Sequence, residues 1–406
     1  MRFRDLALMA PLVAVTVAAL LVGGPTRVAQ DTTAEAAPSA SGGGAPRPDD
    51  GDGVPSAPSV TPPPTKVDPP VDGLACDATI ARVDEALERD DQRRWRPDEL
   101  STLVLVGRHA VDIDVRAGLH GTLSTGCAAK AVRALRGSTG CGGAFGAVSS
   151  GLLGSDRFPP SISASLLEGA KDPRCRTLLV QSTQLAGAVD DRLARDVERL
   201  AVSDADGAAA SQSAWFALGS IELTARHHRQ TELASRLDAH IASWLHASSG
   251  ERRVLLLGVA GNAGCRACAR DLLAAAEDED WRVRRAAAGA WRFDESGEAV
   301  RRMCDPLLGD GDAQVREHAA WSLRWSDVAD EDRVDCLVAA GATDASLEVR
   351  KAATLSLTIL APRSAVARSG LRHLTSPEYP GEIENMARDF LLALGTVPGD
   401  ELRVFE

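Results

Sequence analysis

Aromatic side chains are scarce in this chain: one Tyr (Tyr379), seven Phe and seven Trp among 406 residues. Sheet cores are built from aromatic and β-branched residues that alternate at period two, and no sustained alternation of that kind occurs. Alanine is abundant instead, which points to helices packed through small residues and to an all-α fold. A basic excess is also missing. With 45 Lys and Arg against 57 Asp and Glu, the formal net charge is −12 and the isoelectric point about 5.2. A surface for nucleic acid or an anionic membrane displaces counterions with a basic stripe, so nucleic acid is excluded as a partner. Nearly all the basic residues are Arg, interleaved with Asp and Glu in the manner of a solvated helical exterior. No Cys precedes Cys76, which excludes a lipid-modified N-terminal cysteine.

One long apolar run is present, near the start. Arg2 and Arg4 are followed by seventeen residues from Leu6 to Val22, ended by Gly23-Gly24-Pro25. Residues 1–24 are therefore expected to be an export signal or a short membrane anchor, since the run sits at the lower limit for spanning and carries its positive charge on the cytoplasmic side. Either outcome makes the rest extracytoplasmic, with membrane contact only through this segment. Residues 25–73, rich in Pro, Ser and Gly, read as a disordered linker because they cannot bury enough apolar area to offset their ordering entropy.

The folded part is expected from residue 74, with residues 74–200 as the N-terminal portion of a helical array and 201–406 as its repeat region. Asp77 to Glu88 carries Ile80, Val83 and Leu87 on one helical face. Residues 103–115 alternate briefly but are assigned to helix, and Pro159 is placed at a helix start. From Arg176 onward, apolar stretches of about three turns alternate with polar breaks, as in α-solenoids. Glu382 to Leu394 reads as a terminal helix capping the array.

Three segments align as Asp280-Trp281-Arg282-Val283-Arg284, Asp312-Ala313-Gln314-Val315-Arg316 and Ser346-Leu347-Glu348-Val349-Arg350, spaced by 32 and 34 residues. Asp280, Asp312 and Ser346 are N-cap residue types. Val283, Val315 and Val349 then open a stripe continued by Ala287, Ala319 and Ala353 and by Trp291, Leu323 and Leu357, all on one face. Arg284, Arg316 and Arg350 lie beside the stripe and are expected to reach the acidic cap of the preceding unit, forming a ladder. This pattern resembles the second helix of HEAT repeats, which implies a right-handed α-α superhelix.

A second resemblance rests on Ala214-Trp215-Phe216-Ala217-Leu218-Gly219-Ser220, followed by Leu257-Gly258-Val259-Ala260-Gly261-Asn262-Ala263-Gly264. In this order, over about residues 210–330, the segments are similar to the superhelical region of the vitellogenin-type large lipid transfer proteins. The resemblance implies the same architecture and, as an alternative function, lipid binding or transport. The flanking β-sheets and β-barrel of that family have no counterpart in this sequence. Leu255 to Gly264 is expected to be the turn joining two helix pairs, with Gly and Asn supplying its backbone conformations.

Eight cysteines, at Cys76, Cys127, Cys141, Cys175, Cys265, Cys268, Cys304 and Cys336, are an even number in a chain read as exported, and so are disulfide candidates. Neighbouring repeats make Cys304 a plausible mate for Cys268 or Cys336. Cys265-Arg266-Ala267-Cys268 also has the spacing of a redox dithiol, without the strand such a motif follows. Zinc would need two more ligands, and His227, His228, His240 and His246 match no known spacing. Ala147-Val148-Ser149-Ser150-Gly151 and Gly140-Cys141-Gly142-Gly143-Ala144-Phe145-Gly146 imitate a nucleophile elbow and a dinucleotide loop, but lack the strand either requires. Trp281, Trp321 and Trp325 are candidate groove aromatics, while Trp291 falls in the core stripe.

No convergent titratable groups can be nominated as catalytic. The residues therefore describe an exported, non-enzymatic α-solenoid without a cofactor or metal, which engages a protein or peptide along its concave surface or, alternatively, a lipid.

Overall fold

A computed structural model describes residues 75–119, 126–203, 208–294, 298–326, 330–379 and 381–395. The expected signal or anchor (1–24) and linker (25–73) lie outside the described residues. Ala75–Glu406 forms one unit, whose regular elements among the described residues are all helices.

Its helices alternate between two layers. The odd-numbered layer holds α1 (Cys76–Glu88), α3 (Cys127–Gly137), α5 (Pro160–Gly169), α7 (Asp191–Val202), α9 (Thr231–His246), α11 (Ala269–Ala276), α13 (Ala299–Gly309), α15 (Asp330–Thr343) and α17 (Ala365–His373). The even-numbered layer holds α2 (Pro97–Arg116), α4 (Gly143–Leu153), α6 (Pro173–Thr183), α8 (Ala208–His227), α10 (Gly250–Ala263), α12 (Trp281–Gly289), α14 (Ala313–Leu323), α16 (Leu347–Leu360) and α18 (Gly381–Ala393). Each even helix packs on the next without a break from α2 to α18, whereas contacts along the odd layer are looser. The array also runs across residue 200, because α7 packs on α8. This is an all-α solenoid.

The core lies between the layers. In the even helices Val283, Val315 and Val349, then Ala287, Ala319 and Ala353, then Trp291, Leu323 and Leu357 are all buried. In α9 the i, i+4 series Leu233, Leu237, Ile241 and Leu245 does the same from the odd side. Residues 103–115 lie wholly within α2 despite their β-branched alternation, since burial of Leu103, Val106, Ala110 and Val111 against neighbouring helices overrides strand propensity.

Small residues set the spacing of the even layer. A Cβ added at Gly151 of α4 would sit 2.1 Å from the Val104 carbonyl oxygen of α2, and one at Gly107 would sit 2.5 Å from the Val148 oxygen. The two backbones are in direct contact there. The same principle corrects the reading of Leu255 to Gly264 as a turn. These residues continue α10 to Ala263, and only Gly264 leaves the helix, as a left-handed cap with φ 62°. Gly258 makes room for Phe216 of α8, and a Cβ at Gly261 would lie 2.8 Å from the Ala290 Cα.

Two helices are capped by distant carboxylates. Asp90 accepts from the amides of Gly142, Ala144 and Phe145 at 2.7 to 2.9 Å, and Asp114 from those of Cys127 and Ala128 at 2.6 and 2.9 Å. Both aspartates are buried. Each meets the free first-turn donors and positive end of a helix whose own cap residue is glycine. A side chain at Gly126 or Gly142 would occupy the carboxylate's place.

Gly151→Ala is expected to destabilise the fold by about 2 kcal/mol through overpacking against backbone. Gly137→Ala, where a Cβ meets open space, should be neutral or stabilising by up to about 1 kcal/mol. Urea midpoints of the two variants check the contrast.

Candidate functional site: the even-numbered layer and its loops

The arginine ladder exists, but it runs forward along the chain. Arg284 donates from Nε and Nη2 to both carboxylate oxygens of Asp310, at 2.8 and 3.1 Å, and Arg316 does the same to Asp344 at 2.8 and 3.0 Å. The third guanidinium nitrogen reaches back to a carbonyl, Asp278 O at 2.9 Å for Arg284 and Asp310 O at 2.8 Å for Arg316. The expected acceptors, the caps of the preceding unit, are not used. Asp280 and Asp312 are committed to their own first turns, accepting from the Arg282 and Gln314 amides at 2.9 and 2.8 Å. Ser346 forms no side-chain cap at all. The acceptor is instead the aspartate two residues upstream of the cap, which also ties its own loop: Asp310 and Asp344 accept from the Asp312 and Ser346 amides, each at 2.8 Å. The loop before α18 contains no Asp, so the ladder stops at Arg350, whose Nε is buried without an acceptor.

Burial pushes the Asp310 and Asp344 carboxyls up. The hydrogen bonds from Arg284 and Arg316, with those from the loop amides, outweigh it and hold both below the ordinary carboxylate range.

On the side of α14 opposite its buried stripe, the structure brings Trp321 and Trp325 together. The Arg324 guanidinium carbon lies 4.6 Å from the first ring centroid and 5.0 Å from the second. All three residues are half-buried. Trp281 is half-buried on the preceding unit, while Trp291 is in the core with Arg302 stacked 4.2 Å over it. His318 packs against Gly289 of α12. Burial, reinforced by Arg285, Arg292 and Arg324, pushes its pKa down to about 4, so it is neutral at physiological pH. Arg292 bonds Asn262 of α10 and donates to the carbonyls of Gly289 and Gly258 at 2.6 and 3.2 Å. Burial lowers its pKa to about 10, which leaves it charged.

The cysteines pair as Cys76–Cys127, Cys141–Cys175, Cys265–Cys268 and Cys304–Cys336, with Cα separations of 5.0 to 5.8 Å. Of the two mates considered for Cys304, Cys336 is the one observed. Cys265 and Cys268 are both buried. Beside them Asp238 accepts from the Ala267 amide at 3.2 Å. Nearby, Glu222 is fully buried in α8 and bonded by Arg226, which also donates to Gly264 O at 2.8 Å. Burial pushes the Glu222 pKa up to about 8 against the pull of Arg226. Its signal in the sequence is a lone acid within Ile221-Glu222-Leu223 with Arg at i+4.

The remaining sequence candidates separate. His227 is exposed, and His240 and His246 bond Glu198 and Asp271 at 2.9 and 3.2 Å. Among the described residues, one group has metal-like spacing, Cys141, Asp172 and Cys175; it is a disulfide beside a helix cap, with Asp172 accepting from the Arg174 amide at 2.7 Å. Ser149 and Ser150 are buried and share hydrogen bonds with Ser182 of α6 at 2.8 and 3.0 Å, so they join helices.

A family profile described as HEAT repeats matches residues 271–358, the stretch that holds the ladder. Residues 271–358 are similar to HEAT repeats. Solved structures similar to this chain include human deoxyhypusine hydroxylase, 14% identical, covering 71% of this chain and 98% of that one with a TM-score of 0.27. An engineered protein is 16% identical over 79% of this chain and 90% of its own, with a TM-score of 0.30. Kap121p is 12% identical over 77% and 37%, with a TM-score of 0.33. None of the three bears on what the chain binds. No curated protein matches it, and the vitellogenin-type resemblance gains no support; the residues that carried it are accounted for by the packing of α8 on α10.

Two outcomes follow for stability. Arg316→Ala breaks a pair whose side chains are 14% and 7% exposed and is expected to destabilise by about 1 to 3 kcal/mol, whereas Arg282→Ala, at an exposed pair, should leave the urea midpoint unchanged. In pH titrations the ladder's contribution is present above the unfolded carboxylate pKa of about 3.9 and is lost as pH falls below it. Glu222 acts in the opposite sense. Between the unfolded Glu value of about 4.3 and about 8, the unfolded chain has released a proton that the fold keeps, so stability declines as pH rises through that window. Thermal melts from pH 5 to pH 8.5 should show the decline, and Glu222→Gln should flatten it.

Proposed function

We propose that this protein is an exported, non-enzymatic scaffold that binds a protein or peptide along the outward side of its even-numbered helices. The carrying observation is a line of half-buried apolar side chains on that side: Phe216 of α8, Leu255 of α10, Trp321 and Trp325 at α14, and Leu355 of α16. Each helical member sits across its helix from the buried stripe, where a solvated face would carry polar residues. Such anchors, with polar residues around them, are the pattern of a recognition surface. We read this side as concave, because helices packed more closely in one layer bend an array toward it. Export is supported by four disulfide pairs, which persist in oxidising compartments, together with the N-terminal apolar run.

The folded chain should bind a subset of an immobilised panel of random peptides, and Trp321→Ala with Trp325→Ala should abolish most of that binding without loss of helicity by circular dichroism. A folded wild type that binds none of the panel, or that yields stoichiometric lipid on organic extraction, overturns the reading. Recovery of the native protein from the cytoplasm with reduced thiols would overturn its exported part.

A further inference from the structure

Several arginines of the repeat region's even layer have acceptors, and Arg324 is among those that do not. Arg284 and Arg316 have their loop aspartates, Arg282 has Asp280, and Arg292 has Asn262 and two carbonyls. Arg324 forms neither an ion pair nor a hydrogen bond among the described residues, and its Nε is buried without an acceptor. Its guanidinium is held instead by Trp321 and Trp325, at 4.6 and 5.0 Å.

This arrangement leaves a definite chemical vacancy. Indole rings engage a guanidinium through its flat faces, while its N–H donors lie in the guanidinium plane. A planar acceptor that approaches edge-on satisfies two of those donors at once, and a carboxylate has that shape. Ladder arginines Arg284 and Arg316 show edge-on pairing within this chain, each through Nε and Nη2 to both oxygens of one Asp; at Arg324, whose Nε is buried, the edge left for a ligand is that of Nη1 and Nη2.

The local field points the same way. His318, one turn before Trp321, feels Arg285, Arg292 and Arg324 together, all disfavouring its charged form. Glu317, also toward the open side of α14, makes no ion pair with Arg324 among the described residues. A chain of net charge −12 thus presents a locally positive, aromatic-walled spot on the line of apolar side chains proposed above as the binding surface.

We infer that the open face takes an acidic segment of polypeptide, one Asp or Glu carboxylate of which pairs edge-on with Arg324 between Trp321 and Trp325, while an apolar neighbour in the segment packs on the indoles. The inference rests on the peptide-binding reading and gives its partner a chemistry. A bilayer is the poorer fit: a single guanidinium cannot offset the repulsion between an acidic protein and anionic lipid.

The test uses the full, oxidised chain and fluorescence anisotropy of a fluorescein-labelled peptide of repeated Glu-Leu-Gly units, beside the same peptide with Gln for Glu. Wild type should bind the Glu peptide about tenfold more tightly or better, as a charge-assisted bidentate contact implies. Arg324→Gln should bring both peptides to the weaker affinity. Arg324→Lys, which keeps the charge and loses the fork, should recover only part of the difference. Equal binding of the two peptides by wild type, which requires no variant, overturns the inference. So does an undiminished Glu preference in Arg324→Gln, or cosedimentation with phosphatidylglycerol vesicles that Arg324→Gln abolishes. If both peptides bind equally and Trp321→Ala with Trp325→Ala removes that binding, the inference falls and the scaffold reading stands. If the peptide panel also yields no binding to wild type, both fall.

Discussion

No helix pair in this protein can cover its own apolar stripe, and every other feature of the fold answers to that constraint. The Val-Ala-Leu stripe of one even helix is buried only because an odd helix of its own unit and the even helices on either side close over it. Stability is therefore a sum of local interfaces with no single centre. Glycine lets the even helices meet backbone to backbone. Arg284 and Arg316 then fix the register between successive units, because a bidentate pair tolerates little sliding. One carboxylate serves two units at once, shaping its own loop and receiving the arginine of the unit before.

The repeats were legible because their signals are local and periodic. Asp280 and Asp312 act as the caps their residue type announces, and the stripe positions are buried as their spacing requires. The direction of the ladder was not legible. Position alone puts Arg284 within reach of several acids, and which one accepts depends on Asp280 being occupied by the amide and guanidinium of Arg282. The caps supplied by Asp90 and Asp114 were beyond reach for a related reason. They act across 52 and 13 residues of sequence on helices that begin with glycine, so their local signature is the absence of a cap.

Leu255 to Gly264 misled in an instructive way. Gly258, Gly261 and Asn262 read as turn residues, yet they sit within a helix where small size, rather than backbone freedom, is what the packing demands. Asn262 holds the half-buried Arg292 of the next unit. The aromatic part of the site was half legible: Trp321 and Trp325 share a face by spacing alone, but Arg324 between them gains its meaning from the missing acceptor, which only the fold reveals. Glu222 was likewise hidden, since a lone acid in an apolar stretch declares neither its depth nor its partner.

The disulfides divide the array mechanically. Cys76–Cys127 and Cys141–Cys175 bind together the helix pairs at its N-terminal end, and Cys304–Cys336 joins two pairs near the other. Cys265–Cys268 closes on itself within one connection and bridges no neighbours. Between Cys175 and Cys304, then, successive pairs are joined only by noncovalent packing and the chain itself. The order of the pairs across that span, like the place of α17 and α18 beyond Cys336, rests on the packing of each helix on its neighbours.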